Sequence, residues 1–420
     1  YGSVFFSDAT SGSGEYDGFV QYDHINQRLT FGAAASGAPK LSINSSGNAN
    51  FTGIVTATEF VPTETQLSHK NLIINGAMNV AQRGTSSTSG GYQTVDRYSS
   101  GFTGMDEAPT FAQHALTSSD SGPYEQGFRH SLHVTNGNQT GGAGAGDDMY
   151  LIHNIEAQDV AKSGWNYVSS SSFITLSFWV KASVSQTYYF TFRGYSTSNK
   201  EYAMSVALTA NTWTKVVRTI PGNSDLSSVP IDNSKGWHIL WYLWWGTNYT
   251  TPSGPTLNAW VNKDNNNNLP DLATTWITTN DSTYEITGLQ LESGSQATPF
   301  EHRSFGEELR RCARYFQKID GGSNTFFAAG FTAANDFYGG STLPMGKMRA
   351  APTIAVDGTL SHLNYTHVAI GANVSSLTNQ GSGDNSFVVR LQSTTNTTSN
   401  AGAYARIINS STNLTFNSEI

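Results

Sequence analysis

Only one stretch of this 420-residue chain carries a helical period, and it lies between two long tracts that read as sheet. From Tyr284 to Leu291 (YEITGLQL) apolar residues recur at strand-like intervals, and Gly288 offers a bulge or a close backbone approach. Gly294 and Pro299 then break the strand. A helix is expected over 304–317. Ser304 stands three residues before Glu307, the spacing of a capping box, in which each residue satisfies an orphan N–H. Leu309, Cys312, Ala313 and Phe316 fall at i, i+3, i+4 and i+7 on one apolar stripe. That stripe is expected to form a trimer interface or a domain junction, with Leu309 and Phe316 as its seam. Arg310, Arg311, Arg314 and Lys318 gather toward the C-terminal end, where they complement the helix dipole.

Everything outside this stretch points to an all-β protein. Charged residues make up 13 %, about half the ~25 % usual in soluble domains, and Gly, Ser, Thr and Asn take their place. The surface is then covered by hydroxyls and amides, which suits neutral polar partners such as sugars. A net charge of −8 excludes the basic field that nucleic acid requires. No run of ~18 apolar residues exists, so no membrane insertion is expected. The single cysteine, Cys312, rules out intrachain disulfides and reads as a small buried hydrophobe rather than a nucleophile.

Three domains are expected. Residues 1–68 hold short, glycine-punctuated hairpins, one of them turning at Asp23-His-Ile-Asn26. Such thin units are marginal alone, so three identical chains wrapped about one axis are expected to share their apolar faces. Pro62–Ser68 reads as a linker. Residues 69–318 form the main domain. Phe173–Lys181 alternates cleanly, with Ile174, Leu176, Phe178 and Val180 on one side. Gly236–Gly246 is apolar on both faces and reads as a central strand. Strands at this spacing with Gly-rich turns fit a two-sheet jelly roll. Residues 319–420 read as a small β tip, of a size for a sandwich. The chain opens at Tyr1 inside a repeat, so further protein is expected before it.

Two separated motifs carry a resemblance. ITGLQLE-x-G-x-x-ATPFE followed by HRSFGEELRRCARYFQ is similar to the close of the jelly-roll domain of many bacteriophage tail-fibre proteins. Its opening partner is Asn71–Gly84 (NLIINGAMNVAQRG) with Val95-Asp-Arg-Tyr98. Members of that family often have Trp where Tyr98 stands. YDH-x-x-x-RLTFG near the start and Met348-Arg-Ala-Ala-Pro-Thr353 near the end resemble tail-fibre segments too. The resemblance implies the distal part of a phage tail fibre or tail spike, extracellular on the virion. It further implies a homotrimer joined to other tail or baseplate proteins through a missing N-terminal region, and a receptor-binding rather than metabolic role.

Catalysis is not expected. A polysaccharide-cleaving site needs two carboxylates facing one groove ~5–9.5 Å apart. The neighbours Asp147-Asp148 and Glu307-Glu308 diverge on either a strand or a helix. No metal site or cofactor is expected either: Asp264, Asn266 and Asn268 alternate as in a calcium loop, but Leu269 stands where that turn needs Gly. His362 and His367 face opposite sides of a strand. Sugar binding is the sharper expectation, because aromatic faces stack on pyranose rings while amides reach the hydroxyls. The tryptophans 237, 241, 244 and 245 read as buried. The tip residues Asn335, Asp336, Phe337, Tyr338, Tyr365 and Tyr404 are expected in loops that bind a host surface polysaccharide or lipopolysaccharide. The rival readings are a depolymerase that cleaves that glycan and a purely structural fibre segment.

Overall fold

Strand alternation builds the main domain. In this computed structural model, Phe173–Ala182 buries Ile174, Leu176, Phe178 and Val180 completely. It pairs antiparallel with Thr214–Pro221 on one side and Thr283–Ser293 on the other. Its sheet continues through His130–Thr135, Thr110–Ala115 and Ser86–Ser87. The opposing sheet runs Trp260–Asn262, Lys200–Leu208, Gln186–Gly194, Lys235–Trp245, Asp148–Glu156, Tyr98–Thr103. Lys235–Trp245 is central there and covered on both faces, as its sequence requires. The two layers meet edge to face: the Phe178 ring stands 5.7 Å from Trp241 and 5.1 Å from Phe190, near 90° to each. Strand orders that jump through the sequence across two packed antiparallel sheets make this a β-sandwich of jelly-roll type. The structure describes residues 2–7, 10–11, 18–33, 39–53, 55, 69–195, 199–322, 325–334, 336–357, 363–367, 370–393, 402–407 and 410–420. The Pro62–Ser68 linker expectation and His362 lie outside them.

The two motifs of the resemblance clasp one another. Asn71 donates from Nδ2 to the Leu289 carbonyl and accepts at Oδ1 from the Leu291 N–H. Leu72 donates to Leu291, and Leu289 donates to Gly76. From the far side of the break, the Glu301 carboxylate accepts the His69 and Asn71 N–H groups, and Arg303 donates to the Ile73 carbonyl at 2.9 Å. Glu308 accepts the Asn75 N–H. Gly76 is there because any Cβ would overlap the Leu289 carbonyl oxygen. Gly288 takes φ +64 at the strand irregularity opposite Ser177–Trp179, with the Phe128 ring against it.

The helix is shorter than expected. It spans Phe305–Ala313, and Phe316 already belongs to the strand Phe316–Ile319. The stop is set from outside: Gln317, fully buried, donates to the Ala313 carbonyl, while its backbone pairs with Phe416. Only half of the capping box forms. Ser304 Oγ accepts the Glu307 N–H, but the Glu307 carboxylate turns to Arg311 at 2.9 Å. Cys312 and Ala313 are buried within the chain, and Phe316 lies under the Arg83 guanidinium at 3.7 Å. The chain's own groups therefore cover these three. Leu309 is half-buried. Short helices also occur at Ala157–Ala161 and Thr275–Thr278, where no sequence period announces them. No helix among the described residues is long and apolar enough to cross a membrane.

The last hundred residues form a barrel rather than the expected sandwich. Six strands close in the order Thr325–Ala333, Asp336–Thr342, Ser386–Ser393, Ile370–Ser382, Leu363–His367, Gly402–Ile407. Gly330 and Gly339 make the tight curvature possible: a Cβ on Gly330 would overlap the Tyr338 carbonyl, and one on Gly339 the Phe337 ring. Beside the barrel, Asn413–Asn417 pairs with Phe316–Ile319 and Thr353–Asp357 in a three-stranded sheet.

By contact the chain divides into two compact units, Tyr1–Thr63 and Glu64–Ile420. The first is one five-stranded meander, Gly2–Phe6 through Ala49–Phe51, with no second layer among its described residues. Phe19 is its one buried hydrophobic residue there, while Val4, Phe5, Phe6, Phe51 and Val55 are exposed.

Candidate functional site: an aromatic cleft on the barrel

Alternation along Thr325–Ala333 is reset once, by a register shift between Phe326 and Ala328. Phe327 and Ala328 therefore both point inward, and Phe326, Ala329 and Phe331 point outward. Ala329 sits between Tyr404 on one neighbouring strand and Gly340 on the other. The outer surface there is a floor of two small residues, Ala329 and Gly340. Phe326 and Tyr404 rise from it, 56 % and 45 % exposed, their rings 4.7 Å apart and nearly perpendicular. With Ser341 they line an open cleft of about 540 Å³ with no carboxylate among the described residues of its lining. One row along, Phe331 stacks on Tyr338 at 5.9 Å, and Arg390 joins Asp336 in an ion pair at 2.6 Å. Exposed ring faces above a small floor, with hydroxyls at the rim, match a ligand that is apolar on one face and hydroxylated at its edge.

The expected tip residues scatter around this cleft. Tyr404 lies in it. Tyr338 lies one row away, half-buried, and Asp336 is held by Arg390. Phe337 is fully buried inside the barrel, so it has no face to offer a ligand. Tyr365 belongs to the strand Leu363–His367, its backbone opposite Ala405 and Ala372. Asn335 lies outside the described residues. The expectation of loops is corrected: Asp336, Phe337, Tyr338, Tyr365 and Tyr404 all stand on barrel strands. The signal for Phe326 was present, since it belongs to a run of aromatics, but its outward direction depends on the bulge.

The other candidates resolve into structure. Trp237, Trp241 and Trp244 are buried, as expected, whereas Trp245 at the strand end is only partly buried. Asp147 accepts the Gly144 N–H and closes the glycine-rich loop. Glu308 is committed to Asn75 and Glu307 to Arg311. Asp264 accepts the Asn266 N–H, and buried Asn268 donates to the Tyr249 and Asn265 carbonyls, so the Asn-rich loop is tied by its own amides. A second cleft of about 540 Å³ lies on the sandwich between Lys215, Phe300 and His302. Sequence reasoning passed over one constellation, His114, His133 and Glu285, which only strand pairing brings together.

No family model and no curated protein sequence matches the chain. Among solved structures, the enzymatically active domain of bacteriophage CBA120 tailspike protein 4 aligns at 10 % identity and a TM-score of 0.29, covering 53 % of this chain and 21 % of that one. A family 11 carbohydrate-binding module of a Clostridium thermocellum cellulosomal cellulase aligns at 10 % identity and 0.24, covering 52 % and 98 %. The N-terminal cellulose-binding domain of Cellulomonas fimi β-1,4-glucanase C aligns at 11 % and 0.25, covering 52 % and 99 %. Scores of this size transfer nothing to this chain.

Proposed function

We propose that the chain is the distal, receptor-binding part of a bacteriophage tail fibre or spike, and that its barrel cleft holds a host surface glycan without cleaving it. The observation that carries this reading is the pairing of exposed Phe326 and Tyr404 over the Ala329–Gly340 floor. Solvent-exposed rings cost solvation free energy unless a partner covers them. The described residues that line it, Phe326, Tyr404 and Ser341 above Ala329 and Gly340, offer ring faces and hydroxyls, the groups that hold a sugar.

The chain works as a homotrimer. The single-layered sheet of residues 1–63 leaves Val4, Phe5 and Phe6 in water, and two further copies would cover them. Three clefts on one particle then turn weak sugar contacts into useful avidity. On the virion, other tail or baseplate proteins hold the fibre.

The test is binding of purified host capsular polysaccharide or lipopolysaccharide to the full chain, beside Phe326→Ala and Tyr404→Ala variants. Saturable binding that both variants weaken, with no new reducing ends, is the expected result. Reducing ends that accumulate would establish the depolymerase instead. A chain that neither adheres to host cells nor blocks infection would be a structural segment.

A further inference from the structure

We infer that His114, His133 and Glu285 form a binding site for one divalent transition-metal ion of the Zn²⁺ type on the outer face of the sandwich. The three residues come from adjacent strands of one sheet. Glu285 lies directly opposite His133 in the strand register, and His114 stands beside both, diagonally across from His133 on the next strand. Their imidazole nitrogens and carboxylate oxygens lie within 4.8 Å of one another. His114 Nδ1 is 3.3 Å from Glu285 Oε2, and His133 Nδ1 is 3.3 Å from Glu285 Oε1. Tetrahedral zinc with bonds of about 2.0–2.1 Å sets its ligand atoms roughly 3.3 Å apart. The remaining His–His separation closes by rotation of His114, whose side chain is half exposed.

The surroundings favour a cation there. His133 Nε2 lies 3.1 Å from the Thr135 hydroxyl, a partner of the kind that orients a ligating imidazole. Its buried Nδ1 makes no hydrogen bond, although the carboxylate stands beside it. Lys181 reaches Glu285 at 3.0 Å, yet it has a second carboxylate, Asp120, at 2.9 Å and the Trp213 ring at 4.8 Å. Two carboxylates against one ammonium leave one negative charge for an ion to neutralise. Three protein ligands and an exposed fourth side leave a position for water. Such an ion would pin together the strands Thr110–Ala115, His130–Thr135 and Thr283–Ser293.

The test uses the full chain stripped with a chelator and titrated with Zn²⁺ by calorimetry and thermal unfolding, with Co²⁺ absorption to report ligand number. One ion per chain and a raised melting temperature are expected. Glu285→Gln and His133→Ala should each weaken binding by more than tenfold. Lys181→Met, which removes a competing cation, should tighten it. His114→Ala changes an exposed side chain and so keeps the fold, and it should lose one nitrogen ligand from the Co²⁺ spectrum. The proposal is overturned if no saturable one-to-one binding occurs, or if His114→Ala and Glu285→Gln bind as the parent does.

Discussion

Glu156 ends a strand of the sandwich, and its carboxylate is fully buried against the segment that follows the helix. It accepts Arg314 Nε at 2.7 Å and Nη2 at 2.8 Å, the Tyr315 hydroxyl at 2.6 Å, and Gln158 Nε2 at 2.6 Å. Glu156→Gln keeps the shape but puts an NH₂ among donors, so both charge-assisted bonds to Arg314 are lost or reversed. At about 1.5–3 kcal/mol each they sum to about 3–6 kcal/mol. Arg314 is one-third exposed and regains water, which reduces the expected loss to about 2–4 kcal/mol. Arg314→Met should cost more, about 3–5 kcal/mol, because it strands a buried carboxylate. The double variant should lose less than the sum, with a coupling of at least about 1 kcal/mol. Burial raises the Glu156 carboxyl, but Arg314 and Tyr315 outweigh it and hold the group below its ordinary value. This stabilisation is therefore present above the unfolded carboxyl's value and lost as pH falls through the folded one. Urea unfolding followed by tryptophan fluorescence at pH 7 measures all four proteins. Single variants within about 0.5 kcal/mol of the parent, or strictly additive losses, would refute the reasoning.

Three further outcomes are expected. Asp159 is pushed up to about 6, first by burial and then by the Glu156 charge, so the folded state holds its proton longer and stability falls as pH rises from about 4 toward 6. Asp159→Asn should flatten that slope in pH-dependent unfolding, and an unchanged slope would exclude the assignment. Gly76→Ala forces the opening motif away from Leu289 and should cost about 3 kcal/mol in urea unfolding, a cost that wild-type-like stability would deny. Sedimentation of the full chain should give a trimer, and a stable single subunit in dilute solution would remove the shared-interior account of residues 1–63.

Much of the fold was legible because alternation is a local property. The runs at 173–181 and 236–246 announce strands buried on one face or on both, and they became those strands. The tryptophans could be assigned to the core on the same ground. The helix start was legible from Ser304, whereas its end was not, because Gln317 and the strand Asn413–Asn417 draw Phe316 out of the helical period. A similar reason separates the cleft from its prediction. Aromatic and amide residues marked the right segment, yet one bulged residue decides whether Phe326 or Phe327 faces water, and barrel closure decides that Phe337 does not.

Sequence alone, then, determined the all-β class, the jelly-roll pattern, the start of the longest helix and the irregularity at Gly288. Each of these is encoded within a few neighbouring residues. Only the tertiary structure decided that the last hundred residues close into a barrel and that Ala329 and Gly340 floor an aromatic cleft. It alone set two histidines and a glutamate, from positions 114, 133 and 285, around one point. Those outcomes depend on the register between strands far apart in the chain, and long-range pairing leaves no periodic mark on any one segment.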